Sequence, residues 1–268
     1  MFSSISGRTV KLIRRVVELA ANALGLELIA KWRTYDKPLA DTLREMFGRL
    51  QISTVLDIGA NEGQYYEFLR QHVGFTGIIH SFEPDPDLAD KLIAKSAIDP
   101  KWKIHPVALG PSPGKLEMNI MNTPVFNSFL APSKDQPRLG ENHDLNSNAV
   151  RTSVLVEVKT LDDVTTELAD LKTTYVKIDT QGFDLQVLAG GPRTVNQIPA
   201  LQTEVSFRSL YVGSPTFQES LEAFGKAGFS VVDFFLVVSD HESMAAVEFD
   251  CVMVRSHRTP PAVQTATA

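Results

Sequence analysis

A chain of 268 residues, 43% hydrophobic and 22% charged, carries enough apolar material for one large core, which excludes a mainly disordered or collagen-like protein. The formal net charge of −6 opposes a nucleic-acid ligand, because phosphate contacts need a concentrated basic surface, and neutral or cationic small molecules fit better. Cys251 is the single cysteine, so neither an internal disulfide nor a cysteine-based metal cluster is expected, and the expected setting is reducing and cytoplasmic.

The first amphipathic stretch is residues 10–30, where Ile13, Val16, Val17, Ala20 and Leu24 fall at helical spacing beside Lys11, Arg14 and Arg15. Docking on its own domain is the expected role of this helix, with peripheral contact to a membrane surface as the alternative. No apolar run approaches the roughly 18 residues of a spanning helix, and residues 1–7 lack the basic start of a secretory signal. A second helix follows Asp36, with Pro38 in its first turn and Leu39, Leu43, Met46, Phe47 and Leu50 on one face. Residues 1–50 therefore read as a helical extension, residues 51–257 as the main domain, and residues 258–268, with their prolines and small polar residues, as a disordered tail.

From residue 54 the pattern alternates. Strands are expected at 54–58, 77–83 and 102–109, with helices at 62–72 and 86–97 between them, which is the signature of a parallel sheet. Two further strands, 115–121 and 152–159, flank a polar loop at 122–150 that is long enough to be functional. Thr160 and Asp163 match a capping box, so Asp162 and Asp163 need no catalytic explanation. Then come a strand at 174–179, a helix from 183, a strand at 201–207, a helix at 217–227, and strands at 230–238 and 247–255 close enough to pair antiparallel.

The strongest local signal is the turn Asp57-Ile-Gly-Ala-Asn-Glu-Gly63 between a strand and a helix, where glycine lets a ligand approach the backbone. A nicotinamide fingerprint would need glycine at the positions of Asn61 and Gln64, so dinucleotide binding is disfavoured. Glu83 ends the second strand, where a carboxylate accepts hydrogen bonds from ribose hydroxyls.

The ordered series Asp57-Ile-Gly-Ala-Asn-Glu-Gly63, Ser81-Phe-Glu-Pro84, Val107-Ala-Leu-Gly110, Thr160-Leu-Asp-Asp163, Lys177-Ile-Asp-Thr-Gln-Gly182, Val187-Leu-Ala-Gly190 and Glu204 resembles the FkbM family of methyltransferases. The resemblance implies a class I methyltransferase fold: a doubly wound α/β sheet, mostly parallel with an antiparallel C-terminal strand, plus the N-terminal helices. It further implies S-adenosylmethionine as cofactor and O-methylation of a sugar, glycolipid or other natural product. Asp57, Gly59, Asn61, Gly63, Glu83 and Ala108 become the candidate cofactor-binding residues. The chain departs from the family pattern at Gln181 and Asp184, each often Glu, so no role that needs a carboxylate at position 181 carries over.

Ligands of an open α/β sheet lie beyond the carboxyl ends of the strands, where Asp57, Glu83, Asp179 and Glu204 all fall. A hydroxyl acceptor gains from losing its proton during methyl transfer, which makes Asp179 the first candidate base and Glu204 its partner or an orienting group. The competing role for Asp179 is a cap on the helix from Phe183. Asn127, Ser128 and Gln181 are candidate acceptor contacts; His105, His143 and His241 are weaker bases, and no metal site is assigned. A nucleic-acid methyltransferase would ordinarily show a basic face and an Asp-Pro-Pro-Tyr-like element, where this chain has Asp179-Thr-Gln-Gly182. A methyltransferase-like binding module without catalysis is the remaining alternative.

Overall fold

The computed structural model describes residues 36–135, 137, 139, 149–168 and 170–256. The 10–30 helix, His143 and the tail after residue 257 lie outside the described residues. The larger of two compact units begins at Ala40.

Helix α1, Asp36–Leu50, buries Leu43, Met46 and Phe47. The β-branched and apolar run Thr54–Ile58 forms β1, buried from Val55 onward, because both faces of a parallel strand are covered. A short helix α2, Gln64–Phe68, follows and continues as one π-helical turn, Leu69–Val73. The expected single helix is divided in this way, and Gly74, in a left-handed conformation, ends it. Next come β2, Ile78–Phe82, and α3, Pro86–Ser96, whose N-terminus is capped by the Asp85 side chain with Pro86 in the first turn.

The expected strand over 102–109 is two strands in different sheets. β3, Trp102–His105, pairs with β2, whereas β4, Ala108–Leu109, leaves that sheet and pairs with β6, Val150–Lys159. Pro106 lies at the break, where it has no N–H for the ladder, and the Val107 amide turns back to the His105 carbonyl at 2.8 Å. β5, Gly114–Met121, completes the small sheet antiparallel to β6.

The capping box is present at α4, Leu161–Val164, where Thr160 and Asp163 satisfy each other's backbone amides. β7, Thr174–Ile178, is buried throughout. It is followed by α5, Asp184–Ala189, α6, Pro192–Val195, β8, Ala200–Ser206, α7, Phe217–Lys226, β9, Phe229–Ser239, and β10, Ala246–Arg255. The seven-stranded sheet runs β3-β2-β1-β7-β8-β10-β9, with β10 antiparallel to both neighbours and every other described pairing parallel. This is the topology implied by the resemblance to class I methyltransferases.

Leu56, Ile58, Val176, Ile178, Leu201 and Val205 from the strands meet Leu161, Val187 and Phe224 from the helices in the central core. Full burial of each such side chain stabilises by about 1.5–3 kcal/mol, against about 1 kcal/mol for a helix cap, so the core sets the register of the sheet. Strand order reverses between β1 and β7, which places the crevice at the carboxyl ends of β1, β2 and β7.

Candidate cofactor and acceptor site

The loop after β1 is held by its own backbone. The amides of Gly59 and Ala60 both donate to the Phe82 carbonyl, at 3.0 and 3.1 Å. Gly59 has φ 85°, and a Cβ there would sit 1.8 Å from the Asp179 carbonyl oxygen, so only glycine allows this loop to lie against the end of β7. Asn61, also left-handed at φ 47°, donates its amide to Glu83 Oε2 at 2.7 Å, while the Asp85 amide donates to Oε1 at 2.9 Å. Each Glu83 oxygen keeps a lone pair for a ligand hydroxyl. Burial pushes the Glu83 carboxyl up to about 7 against the pull of those two amides.

A cavity of about 630 Å3, its open mouth included, lies beyond this loop. Gly59, Asn61, Glu83, Ala108, Asn127, Ser128, Asp179 and Gln181 all line it, so eight of the sequence-predicted residues meet at one site. Its apolar walls are Ile58, Phe82, Val107, Leu109, Met118 and Phe129. Asn61 Oδ1 is buried with no hydrogen-bond partner among the described residues. An orphaned acceptor, a strand-end carboxylate and an apolar wall together fit a nucleoside cofactor with ribose hydroxyls.

The other three predicted residues stand behind the wall. A Cβ on Gly63 would lie 3.0 Å from Leu92 Cδ2 and from Trp102 Cη2, so this glycine serves the packing of α2 against α3 and β3. Asp57 is fully buried, accepts from Ser81 Oγ at 3.0 Å and has Lys177 Nζ at 3.9 Å. Burial raises its carboxyl, and Lys177 opposes that rise. Glu204 lies one hydrogen bond further in, behind Gln181.

Lys177 Nζ donates to Asp179 Oδ2 at 2.7 Å and sits 4.8 Å from the centre of the Tyr65 ring. Burial works against the charge of Lys177, but Asp179 and Asp57 more than offset it and hold the ammonium above its usual range. Burial likewise opposes ionisation of Asp179, yet Lys177 and Gln181 outweigh it, so Asp179 stays ionised below the ordinary carboxylate range. Glu204 goes the other way: burial, then the charge of Asp179, raise it well above its usual value. Asp184 is pushed up to about 7 by burial and by Asp179, and Glu248 to about 7 by burial, offset by the Ser206 hydroxyl.

Asp179 does not cap the following helix. The N-cap of that helix is Phe183, which supplies no side-chain cap, and Asp184 Oδ1 accepts from the Thr180 amide in the turn before the helix at 3.2 Å. Ser128 Oγ donates to the Gln181 carbonyl at 2.8 Å, and Asn127 Nδ2 donates to Asp85 Oδ2 at 3.0 Å, which ties the loop after β5 to both sides of the cavity. His105 stacks on Phe82 and hydrogen-bonds His80 at 2.9 Å, outside the cavity lining. Sequence reasoning missed Lys177, visible only as a charge inside an apolar strand, and Tyr211, which gave no local signal.

The methyltransferase FkbM domain model matches residues 57–231, well over half of the chain. A curated relative, the 2-O-methyltransferase NoeI of Sinorhizobium fredii (strain NBRC 101917 / NGR234), is 28% identical over 164 residues, which span 59% of this chain and 65% of the relative. Among solved structures, methyltransferase FkbM from Methylobacillus flagellatus KT aligns at 12% identity and a TM-score of 0.45, over 75% of this chain and 43% of that one. Magnesium protoporphyrin IX methyltransferase from Synechocystis PCC 6803, with bound SAM, aligns at 10% identity and a TM-score of 0.44, over 96% of this chain and 100% of that one. The motifs that line the cavity fall inside the matched domain, and the chain belongs to the FkbM methyltransferase family.

Proposed function

We propose that this protein is an S-adenosylmethionine-dependent O-methyltransferase acting on a hydroxyl of a sugar, glycolipid or other natural product. The observation that carries the reading is one cavity lined both by Glu83, a buried strand-end carboxylate with lone pairs to spare, and by Asp179, which Lys177 holds at 2.7 Å. Membership of the family supports the methyl donor, and the 2-O-methylating relative supports oxygen as the acceptor atom.

S-adenosylmethionine supplies an already activated methyl group on a sulfonium. Glu83 accepts from the ribose hydroxyls with its remaining lone pairs, and Asn61 Oδ1 offers a second acceptor. Phe82, Val107, Leu109 and Met118 exclude water from the same space. With the donor bound, Asp179 would accept a hydrogen bond from the acceptor hydroxyl and take its proton as the carbon–oxygen bond forms and the methyl carbon–sulfur bond breaks, the sulfur leaving as a neutral thioether. At that moment the acceptor O–H is far more acidic than a carboxylic acid, so a carboxylate held low still serves. Lys177 keeps Asp179 ionised and aimed.

Incubation of the purified protein with labelled S-adenosylmethionine and a panel of glycans, glycolipids and polyhydroxylated natural products tests this reading. A labelled methyl ether is the expected product. Binding of S-adenosylmethionine no tighter than NADH by calorimetry, with no methyl transferred, would overturn it.

A further inference from the structure

Tyr211 belongs to none of the strands or helices that build the site; it lies in the loop between β8 and α7, yet it is only 3% exposed. Two backbone bonds hold that loop against the segment after β5: Ser133 N to the Leu210 carbonyl and Val212 N to the Ala131 carbonyl, both 2.8 Å. The Tyr211 hydroxyl is 2.7 Å from Gln181 Oε1 and 3.0 Å from the carbonyl of Phe126, next to the cavity-lining Pro124 and Val125. On the other side of the same amide, Gln181 Nε2 lies 3.1 Å from both Asp179 Oδ1 and Glu204 Oε2. Gln181 has φ 52°, a conformation uncommon for a residue with a Cβ, and such strain persists only where the surroundings hold it.

An ionised carboxylate can only accept. The atom of Gln181 that faces Asp179 must therefore be the amide nitrogen, which leaves the amide oxygen to a donor on the far side. The Tyr211 hydroxyl has one proton and two acceptors in reach, and it lies nearer Gln181 Oε1, at 2.7 Å, than the Phe126 carbonyl, at 3.0 Å, so Gln181 receives it. We propose that Tyr211 is a positioning residue whose hydroxyl locks the Gln181 amide with its nitrogen toward Asp179, and so keeps that carboxylate aimed into the cavity. Without the hydroxyl the amide is free to turn, its oxygen meets the Asp179 carboxylate, and the repulsion displaces the group that receives the acceptor. A glutamate at position 181 could not serve as this donor while ionised. The inference rests on Asp179 as the acceptor-side carboxylate, but the orientation of the amide is measurable without any turnover.

Side-chain amide exchange in the full-length protein saturated with S-adenosylhomocysteine reads the lock directly. In the unaltered chain the Gln181 amide protons, identified by their loss in Gln181→Glu, should exchange with water more slowly than those of the exposed Gln218. Tyr211→Phe should speed that exchange about tenfold, the loss of roughly one hydrogen bond, with affinity for S-adenosylhomocysteine unchanged. On any acceptor that the panel of glycans, glycolipids and natural products yields, the same variant should lower kcat by about 100-fold while KM for the cofactor holds, as expected of a displaced catalytic group. Gln181 protons that exchange as fast as those of Gln218 in the unaltered protein overturn the proposal even if Tyr211→Phe fails to fold. So does a folded Tyr211→Phe with unchanged exchange, or one that loses only cofactor affinity. Absence of transfer to every acceptor, with the exchange results as expected, would leave the lock standing and count against the proposed reaction alone.

Discussion

The two sides of the cavity are built by different means. On the β1–β2 side backbone amides do the holding: Gly59 and Ala60 on the Phe82 carbonyl, and Asn61 and Asp85 on the Glu83 carboxylate. On the β7–β8 side one side chain holds the next, from Lys177 to Asp179 to Gln181, and from Gln181 to Glu204 and Tyr211. A site made of backbone depends on conformations that only certain residues adopt, so it is rigid and intolerant. A site made of side chains depends on charge and hydrogen-bond direction, so it can be retuned by isosteric changes that leave the fold alone.

Gly59 belongs to both sides, and breaking it should give the largest effect. A Cβ there meets the Asp179 carbonyl oxygen at 1.8 Å, whereas at Gly74, with a similar φ of 76°, it meets nothing within 4 Å. Gly59→Ala should cost about 3–5 kcal/mol from backbone strain plus overpacking, and Gly74→Ala only the strain, about 1–2 kcal/mol. Denaturant midpoints of the two variants compare them directly. Equal losses would mean that the contact with Asp179 does not constrain the loop.

Asp179→Asn tests the side-chain wall. It should lower turnover about 100-fold to 10,000-fold, the usual contribution of a positioned acid-base group, while S-adenosylhomocysteine still binds. Because Lys177 loses its nearest anion, a fall in melting temperature should accompany the loss. A folded variant with near-normal turnover would remove Asp179 from the chemistry and leave alignment alone to account for the rate.

What was legible in the sequence follows the same division. The Thr160–Asp163 capping box and most of the strands are written in short spacings and are present in the structure, and Gly59 and Glu83 line one cavity. The break at Pro106, the role of Gly63 in packing against Leu92 and Trp102, and the withdrawal of Glu204 behind Gln181 depend on what the chain meets after folding. Tyr211 reaches Gln181 across 30 positions and Phe126 across 85, and no local pattern encodes such contacts. Lys177 and Asp179 stand two positions apart, which the period of a strand puts on one face, so their ion pair is legible in the spacing although the sequence analysis gives Lys177 no role of its own.

The smallest expected effect, dependence on pH, separates the two sides without disturbing the fold. Glu83, Asp184 and Glu248 are each pushed up to about 7 from ordinary values near 4, burial being the first cause in every case. For an acid with a raised folded value, the folded protein holds more protons than the unfolded chain, so stability falls as pH rises from about 4 through about 7. Burial lowers His80 and His105, and these act in the opposite sense below about 6.5, the ordinary value for histidine. From about pH 6.5 to 8 the raised acids therefore dominate, and the ligand-free protein should lose melting temperature across that range. Cofactor affinity should move the other way, because only ionised Glu83 offers its full set of acceptors to the ribose hydroxyls. Calorimetry with S-adenosylhomocysteine should show affinity rising several-fold between pH 6 and 8 in the unaltered protein and staying flat in Glu83→Gln, while the decline in melting temperature persists in both through Asp184 and Glu248. A rise in affinity that survives Glu83→Gln would move the titrating group from the backbone-held side to the acid cluster, and with it the cofactor contact assigned to Glu83.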